Sequence, residues 1–253
     1  MLYIKTLSTI RTMAEGGKLL YDTLMLLKSK IRPGISTKEL NKIAEEYIIN
    51  HNALPSFKGY SGFPAGVCTS VNDVVIHGIP SEHVVLREGD IVSLDCGVFY
   101  KGFHTDAART FAVGEIRPEL QRLIDDTEKS FFEGAAQACV GNRVSDIGHA
   151  VEAYLAPRGY GIVRDFTGHG VGNEIHESPS VCNYGKPGRG IRLQNGMTLA
   201  IEPMVTLGGD GVRILDDEWT TVTTDGSFAA HYENTVAIVD GSPVILTNGE
   251  AEL

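Results

Sequence analysis

The 253-residue sequence predicts an α/β (α+β) fold: one domain with a pseudo-twofold, in which a central antiparallel sheet is covered by helices. Three observations predict it. Two helical patterns are followed by strand patterns, and the same order then repeats. Two phrases echo each other at nearly one offset: "LREGDIVSLD" (Leu86 to Asp95) lies over "LQNGMTLAIE" (Leu193 to Glu202) at 107 residues, and "PGISTKELNKIAEEYI" resembles "NRVSDIGHAVEAYL", with Ser36 over Ser145, at 109. No low-complexity or linker-like tract separates the halves, so residues 1–253 read as a single domain with halves at roughly 1–115 and 116–253.

The elements follow in order. Helical periodicity covers about Thr6 to Lys30 and about Thr37 to His51, the second preceded by Pro33-Gly34 and by a capping box of Ser36 and Glu39. Strand-like runs extend from Gly66 through Ile76 and over Ile91 to Phe111. Helices return after Pro118 in "PELQRLIDDTEKSFFEGAAQACV" and in "SDIGHAVEAYLAPRGY". Strands resume in "GIVRDF", "GMTLAIEPMV", "WTTVTT" and "NTVAIV".

Composition narrows the classes of function. An apolar content of 42% with 21% charged residues is ordinary for a soluble protein. The formal charge is -10 and the basic residues are scattered, which makes nucleic acid and anionic membrane poor partners. No run approaches ~18 apolar residues and the N-terminus lacks a signal-like core, so the chain reads as cytoplasmic, with no membrane contact and no targeting segment. Cys68, Cys96, Cys139 and Cys182 are widely separated with no C-x-x-C pair, which argues against disulfides and a thiolate zinc site. Cys96, next to Asp95 in a strand, points to the opposite face and reads as core.

The stretch "IVSLDCGVFYKGFHTDAARTF" reads as an antiparallel hairpin whose turn is Tyr100-Lys101 or Lys101-Gly102. The first register sets Asp95 opposite Asp106; the second makes them diagonal neighbours on one face. Two carboxylates at roughly 5 Å, with an effective dielectric of about 20, repel by on the order of 3 kcal/mol. A shared proton, a basic partner or a bound cation would offset it.

The rest of the chain favours the cation. Glu202 is the only acid in "TLAIEPMV", and Glu233 stands at the mouth of "HYENTVAIV". Burying four carboxylates without compensation costs several kcal/mol each, on the order of magnitude known for buried ions. "FTGHGVGNEIHESP" supplies His169, flanked by glycines, and His176, while His77 ends the apolar run "VVIHGIP". His51, His83, His104, His149 and His231 read as surface or packing residues, His231 being set apart by its nearness to Glu233. Four carboxylates and one neutral imidazole carry four negative charges, which two divalent cations would neutralise. Oxygen-rich ligation with one nitrogen favours Mn(II), Fe(II) or Co(II). Paired metals roughly 3.5–4 Å apart lower the pKa of a shared water toward neutrality, so the pattern points to metal-assisted hydrolysis.

These residues resemble the type I methionine aminopeptidases, of pita-bread fold, over essentially the whole chain. The likeness rests on five ligand-type residues in the order Asp, Asp, His, Glu, Glu and on "NDVVIHGIP", "GDIVSLDCGV", "FHTDAARTF", "GHGVG", "IHESP" and "AIEPM". It implies that Asp95 chelates one metal, that His169 and Glu202 hold the other, and that Asp106 and Glu233 bridge them. Zn or Ni are further metals the resemblance admits, and some members bind a monovalent cation through backbone carbonyls near Asn72 and Val74. By the same resemblance His176 polarises the scissile carbonyl, His77 contacts substrate and shuttles a proton, and Glu202 doubles as general base. The implied methionine pocket is Tyr60, Phe63, Cys68, Ile175 and Trp219, with Phe57 at the rim. Phe57, Phe63 and Ile175 depart from the family's usual residues, which bears on pocket shape rather than on the reaction.

The resemblance implies removal of the initiator methionine from nascent chains whose second residue is small, by a monomer in transient contact with the ribosome. The minimal bacterial form fits, since the 31 residues from Glu202 to Glu233 leave no room for the helical insertion of the type II enzymes, and no zinc-finger or SH3-binding extension precedes the domain. A prolidase or X-Pro aminopeptidase shares the ligand set but usually carries an extra N-terminal domain. A metal-free binding module of the same fold typically loses ligands, and all five stand here.

Overall fold

A computed structural model describes residues 3–251 and 253; Met1, Leu2 and Glu252, which the one-domain reading of 1–253 includes, lie outside the described residues. Among the described residues four α-helices form: α1 (Leu7–Lys30), α2 (Thr37–Asn50), α3 (Pro118–Ala135) and α4 (Val144–Leu155). The Thr6 hydroxyl caps α1 by accepting from the Thr9 N–H. Pro118 opens α3 at a position whose N–H has no helical partner to lose. The helical pattern at Ser145 to Tyr160 is shorter than expected, because α4 passes into a 3-10 turn at Ala156–Arg158 that Pro157 favours and Gly159, at φ 79°, ends.

Every strand pairing among the described residues is antiparallel. One sheet centres on Ile91–Tyr100, flanked by Val67–Val71, Phe103–Ala112 and Leu54–Pro55. A five-stranded sheet runs in the order Ser242–Ile245, Asn234–Val239, Thr198–Ile201, Gly168–Gly170, Glu177–Val181. Two three-stranded sheets complete the set; one joins Ala229–His231, Met204–Thr206 and Gly161–Ile162, and the other Val212–Ile214, Thr221–Thr223 and Val74–Ile76. Two expected strands are broken. The run Gly66 to Ile76 turns at Asn72, which adopts φ 57°, and "GMTLAIEPMV" divides at Pro203, which has no N–H for the ladder.

Alternation along the strands decides what faces the helices. Val92, Leu94, Cys96 and Val98 pack under α1 and α2 with Leu20, Leu24, Leu40 and Ile48. Leu199, Ile201, Val236 and Ile238 pack with Phe131, Ala135 and Ile147 of α3 and α4. The intervening residues, Asp95 and Glu202 among them, therefore turn to the opposite face, where the two sheets meet. That junction is a backbone pair: Ala108 N–H donates to the Glu233 carbonyl at 3.3 Å and Glu233 N–H to the Ala108 carbonyl at 2.9 Å.

Backbone detail recurs at an offset of 107 residues. Leu86 N–H donates to Ile35 O, and Leu193 N–H to Asn142 O, each at 2.9 Å; Thr37 N–H bonds Val84 O at 2.9 Å, and Val144 N–H bonds Ile191 O at 3.0 Å. Isolated bridges join Ser36 to Val85 and Arg143 to Arg192. This corrects the second sequence echo, which set Ser36 over Ser145. The N-cap equivalent to Ser36 is Arg143. Its N–H is capped by Asp146 at 2.7 Å, as Ser36 N–H is by Glu39 at 2.9 Å. Similarity of side chains misplaced the alignment by two residues because α4 uses the acidic half of the box without a hydroxyl at the N-cap.

Candidate active site

The hairpin register resolves the aspartate problem. Tyr100 pairs with Phe103, so the turn is Lys101-Gly102, at φ 47° and 92°, the positive pair that a type I′ turn needs. Asp95 is then opposite Ala108 and Asp106 opposite Gly97, making the two acids diagonal neighbours. Glu202, just past the Thr198–Ile201 strand, and Glu233, just before its partner strand, come in from the other sheet.

His169 enters from Gly168–Gly170. A Cβ on Gly168 would meet the Ala200 carbonyl oxygen at 2.3 Å, and one on Gly170 the Ser178 carbonyl oxygen at 2.5 Å, so only glycines let this strand lie flush between its neighbours. The His169 Nδ1 donates to the Gly170 carbonyl at 2.9 Å, which leaves the Nε2 lone pair facing the acids. Nε2 is 3.5 Å from Glu202 Oε1 and 3.8 Å from Asp106 Oδ2. Ligand atoms of Asp106, His169 and Glu233 all lie within 4.8 Å of one another.

All five residues line one cavity of about 120 Å³, together with Phe57, Tyr60, Phe63, Cys68, His77, His176 and Trp219. Ile175 stands behind this lining, 2% exposed, in an apolar cluster with Phe57, Phe63, Cys68, Val171 and Ala200. His176 Nδ1 is 2.8 Å from the Tyr60 hydroxyl, and its ring centroid is 4.3 Å from that of His169. His77 adopts φ 59°, a strained conformation for a residue with a Cβ, and its ring stands edge-on to Phe166 and Trp219.

Electrostatics marks the centre as cation-seeking. Burial, reinforced at Asp95, Asp106 and Glu233 by neighbouring carboxylates, raises all four acids: Asp95 to about 7, Glu202 to about 8, and Asp106 and Glu233 upward as well. Burial lowers His169 to about 3 and His77 to about 4, so both rings are neutral. Asp95 Oδ1, Asp106 Oδ1 and Glu233 Oε1 are buried with no hydrogen-bond partner. Oxygens deprived of both water and donors are costly unless cations satisfy them, and this donor set fits hard divalent ions.

Several residues that hold this arrangement carry no local sequence signal of doing so. Arg109 donates to the Glu233 carbonyl and, at 2.6 Å, to Asn234 Oδ1, while its guanidinium lies 4.2 Å from the Tyr232 ring centroid. Lys5 pairs with Glu177 in the interior, and Glu177 accepts from the Asn173 and Glu174 N–H groups, tying down the loop that carries Ile175 and His176. His104, read as surface or packing, bonds Ser56 through Nδ1 at 2.9 Å and Gly172 O through its N–H at 2.7 Å. His231, read the same way, is 2% exposed with Nε2 3.6 Å from Glu202 Oε2, which corrects the surface half of that reading. Its only sequence signal is its position two residues before Glu233.

The chain is similar to known proteins along nearly its whole length. The profile of Metallopeptidase family M24 matches residues 11–240. The chain is 54% identical to a methionine aminopeptidase of Clostridium acetobutylicum over 98% of this chain and 99% of that one. Its structure superposes on the crystal structure of methionine aminopeptidase from Rickettsia prowazekii with a TM-score of 0.96 at 36% identity, covering 98% and 100% of the two chains. An Xaa-Pro dipeptidase from Bacillus anthracis is more distant: TM-score 0.78, 25% identity, and only 63% of that longer chain is covered.

Proposed function

Because this chain belongs to metallopeptidase family M24 and, within it, to the methionine aminopeptidases of pita-bread fold, we propose that its cavity holds two divalent cations and releases methionine from nascent chains whose second residue is small. The family implies a metal-dependent hydrolase acting on peptides, and its similarity to methionine aminopeptidases exceeds that to the prolidase type.

One observation carries the proposal: three partnerless buried carboxylate oxygens, from Asp95, Asp106 and Glu233, converge with His169 and Glu202 on one small cavity. Asp95 would hold one ion, His169 and Glu202 the other, and Asp106 and Glu233 both; Mn(II), Fe(II) or Co(II) suit this donor set best. Such a pair supplies Lewis acidity and an activated water when bound.

The chain's own groups do the rest. Phe57, Phe63, Cys68 and Trp219, backed by Ile175, give the cavity an apolar side that suits a methionine side chain. Tyr60 Oη lies 2.8 Å from His176 Nδ1, and in the neutral tautomer in which the hydroxyl donates, His176 Nε2–H is free to donate to the scissile carbonyl oxygen and to the oxyanion that develops there. Glu202, ionised once it faces a cation, takes a proton from the attacking water and returns it to the leaving amine. His77, a neutral ring in the same lining, contacts the substrate N-terminus. Residues 1–115 and 116–253 act as one catalytic domain. The widely spaced, unpaired cysteines suit cytoplasmic work on chains at the ribosome, and no helix among the described residues is long and apolar enough to span a membrane.

The test is direct. Protein stripped by chelator and reloaded with Mn(II) or Co(II) is given Met-Ala-Ser beside an X-Pro peptide. Metal-dependent release of methionine is expected; cleavage only before proline would establish the prolidase reading instead.

A further inference from the structure

Asp106 and His231 are held by matching clips. Thr235 Oγ1 accepts from the Asp106 N–H at 2.8 Å and donates to the Asp106 carbonyl at 2.9 Å. Thr110 Oγ1 accepts from the His231 N–H and donates to the His231 carbonyl, both at 2.9 Å. These clips lie on either side of the Ala108–Glu233 backbone pair, so a twofold through that pair exchanges Asp106 with His231 and Thr110 with Thr235. His231 therefore occupies the place in the second half that a carboxylate of the cradle occupies in the first.

Its surroundings agree with that place. The ring is fully buried and neither nitrogen has a hydrogen-bond partner. Nε2 stands 3.6 Å from Glu202 Oε2, just beyond hydrogen-bond length, on the oxygen that does not face His169.

We infer that His231 is a positioning residue: its Nε2–H donates to Glu202 Oε2 and thereby holds Oε1 toward His169 Nε2, where the two side chains would hold a cation together. The inference rests on the dinuclear reading above. A hydrogen-bonded ligand carboxylate loses rotational freedom before the ion arrives, and loss of such an outer contact commonly weakens metal binding by about 10- to 100-fold. Among the described residues no hydrogen bond reaches the Glu202 carboxylate itself; Asn183 Nδ2 donates to the Glu202 backbone carbonyl at 2.9 Å.

Calorimetric titration of stripped protein with Co(II) tests this on the wild type, His231→Gln and His231→Leu. Gln keeps an N–H donor in a similar volume, and Leu keeps the volume alone. Expected are two ions on the wild type, affinity for one of them about tenfold or more lower in His231→Leu, and most of that loss restored in His231→Gln. Equal affinities in all three, or equal losses in the two variants, would overturn the inference and leave the dinuclear site standing; a wild type that binds no metal overturns both. Should His231→Leu fail to fold, the ring tautomer decides. Long-range 1H–15N spectra of the wild type reloaded with diamagnetic Zn(II) should place the His231 proton on Nε2, and a proton on Nδ1 would contradict it.

Discussion

The two halves of the molecule share a frame and differ at its tips. At 107 residues' separation the same turns, the same N-cap carboxylate contacts and the same backbone bonds recur. Where the strands reach the cavity the side chains diverge: Asp95 corresponds to Glu202, Ala108 to Glu233, and Asp106 to His231. Backbone pairing depends little on side-chain identity, so the frame tolerates substitution. The site does not, because the number and reach of its oxygen donors fix its charge and geometry. A strictly symmetric cradle would have repeated one half's acids. Placing Glu233 on the junction itself instead brings one carboxylate within reach of both halves.

The sharpest break in that comparison is Asp106→Asn, which keeps the shape and removes a charge at the proposed bridge. Affinity for at least one metal should fall by more than about a hundredfold, the upper end of outer-contact losses, with methionine release falling alongside; unchanged metal content by elemental analysis would contradict the bridge. A second effect separates stripped from loaded protein. Because burial raises Asp95 and Glu202 to about 7 and 8, above their unfolded values, the protonated acids favour the folded stripped protein at low pH. That contribution is complete below about pH 4 and is lost as pH rises through about 8. Melting temperatures of stripped protein should therefore fall between pH 5 and 9, on top of its general trend, while the loaded protein gains roughly 3 kcal/mol at a hundredfold excess of metal over Kd. Equal melting temperatures with and without metal would sink this account.

Smaller effects probe the shared frame. Thr235→Val and Thr110→Val each orphan a buried N–H and carbonyl and should cost about 1–3 kcal/mol apiece, or a few degrees in Tm; sharply unequal costs would show that the two clips are not equivalent. The mildest pair is Glu39→Ala and Asp146→Ala, expected to destabilise by about 1 kcal/mol each on loss of the N-cap contact.

Much of this was legible in the residues. The capping box at Ser36 and Glu39, the polar residues misplaced in apolar strands and the glycines around His169 each carry a local physical signal. Other features were hidden for equally physical reasons. Two hairpin registers remained open until the positive φ of Lys101 and Gly102 located the turn. The frame's true offset at α4 was obscured because Arg143 is an unusual N-cap. Arg109, Lys5 and His231 act through contacts with Glu233, Glu177 and Glu202, 124, 172 and 29 residues away in sequence. No local periodicity reports such contacts.

The central claim is that four carboxylates, buried at Asp106 and Glu233 and partly buried at Asp95 and Glu202, form with His169 one cradle for two cations. Titrating stripped wild-type protein with Mn(II) or Co(II), while following both heat and methionine release, tests it most directly. Two ions per chain with activity restored as they bind is the expected result. Full peptidase activity in protein that binds no metal, or a stoichiometry that never exceeds one at saturating concentration, would contradict it.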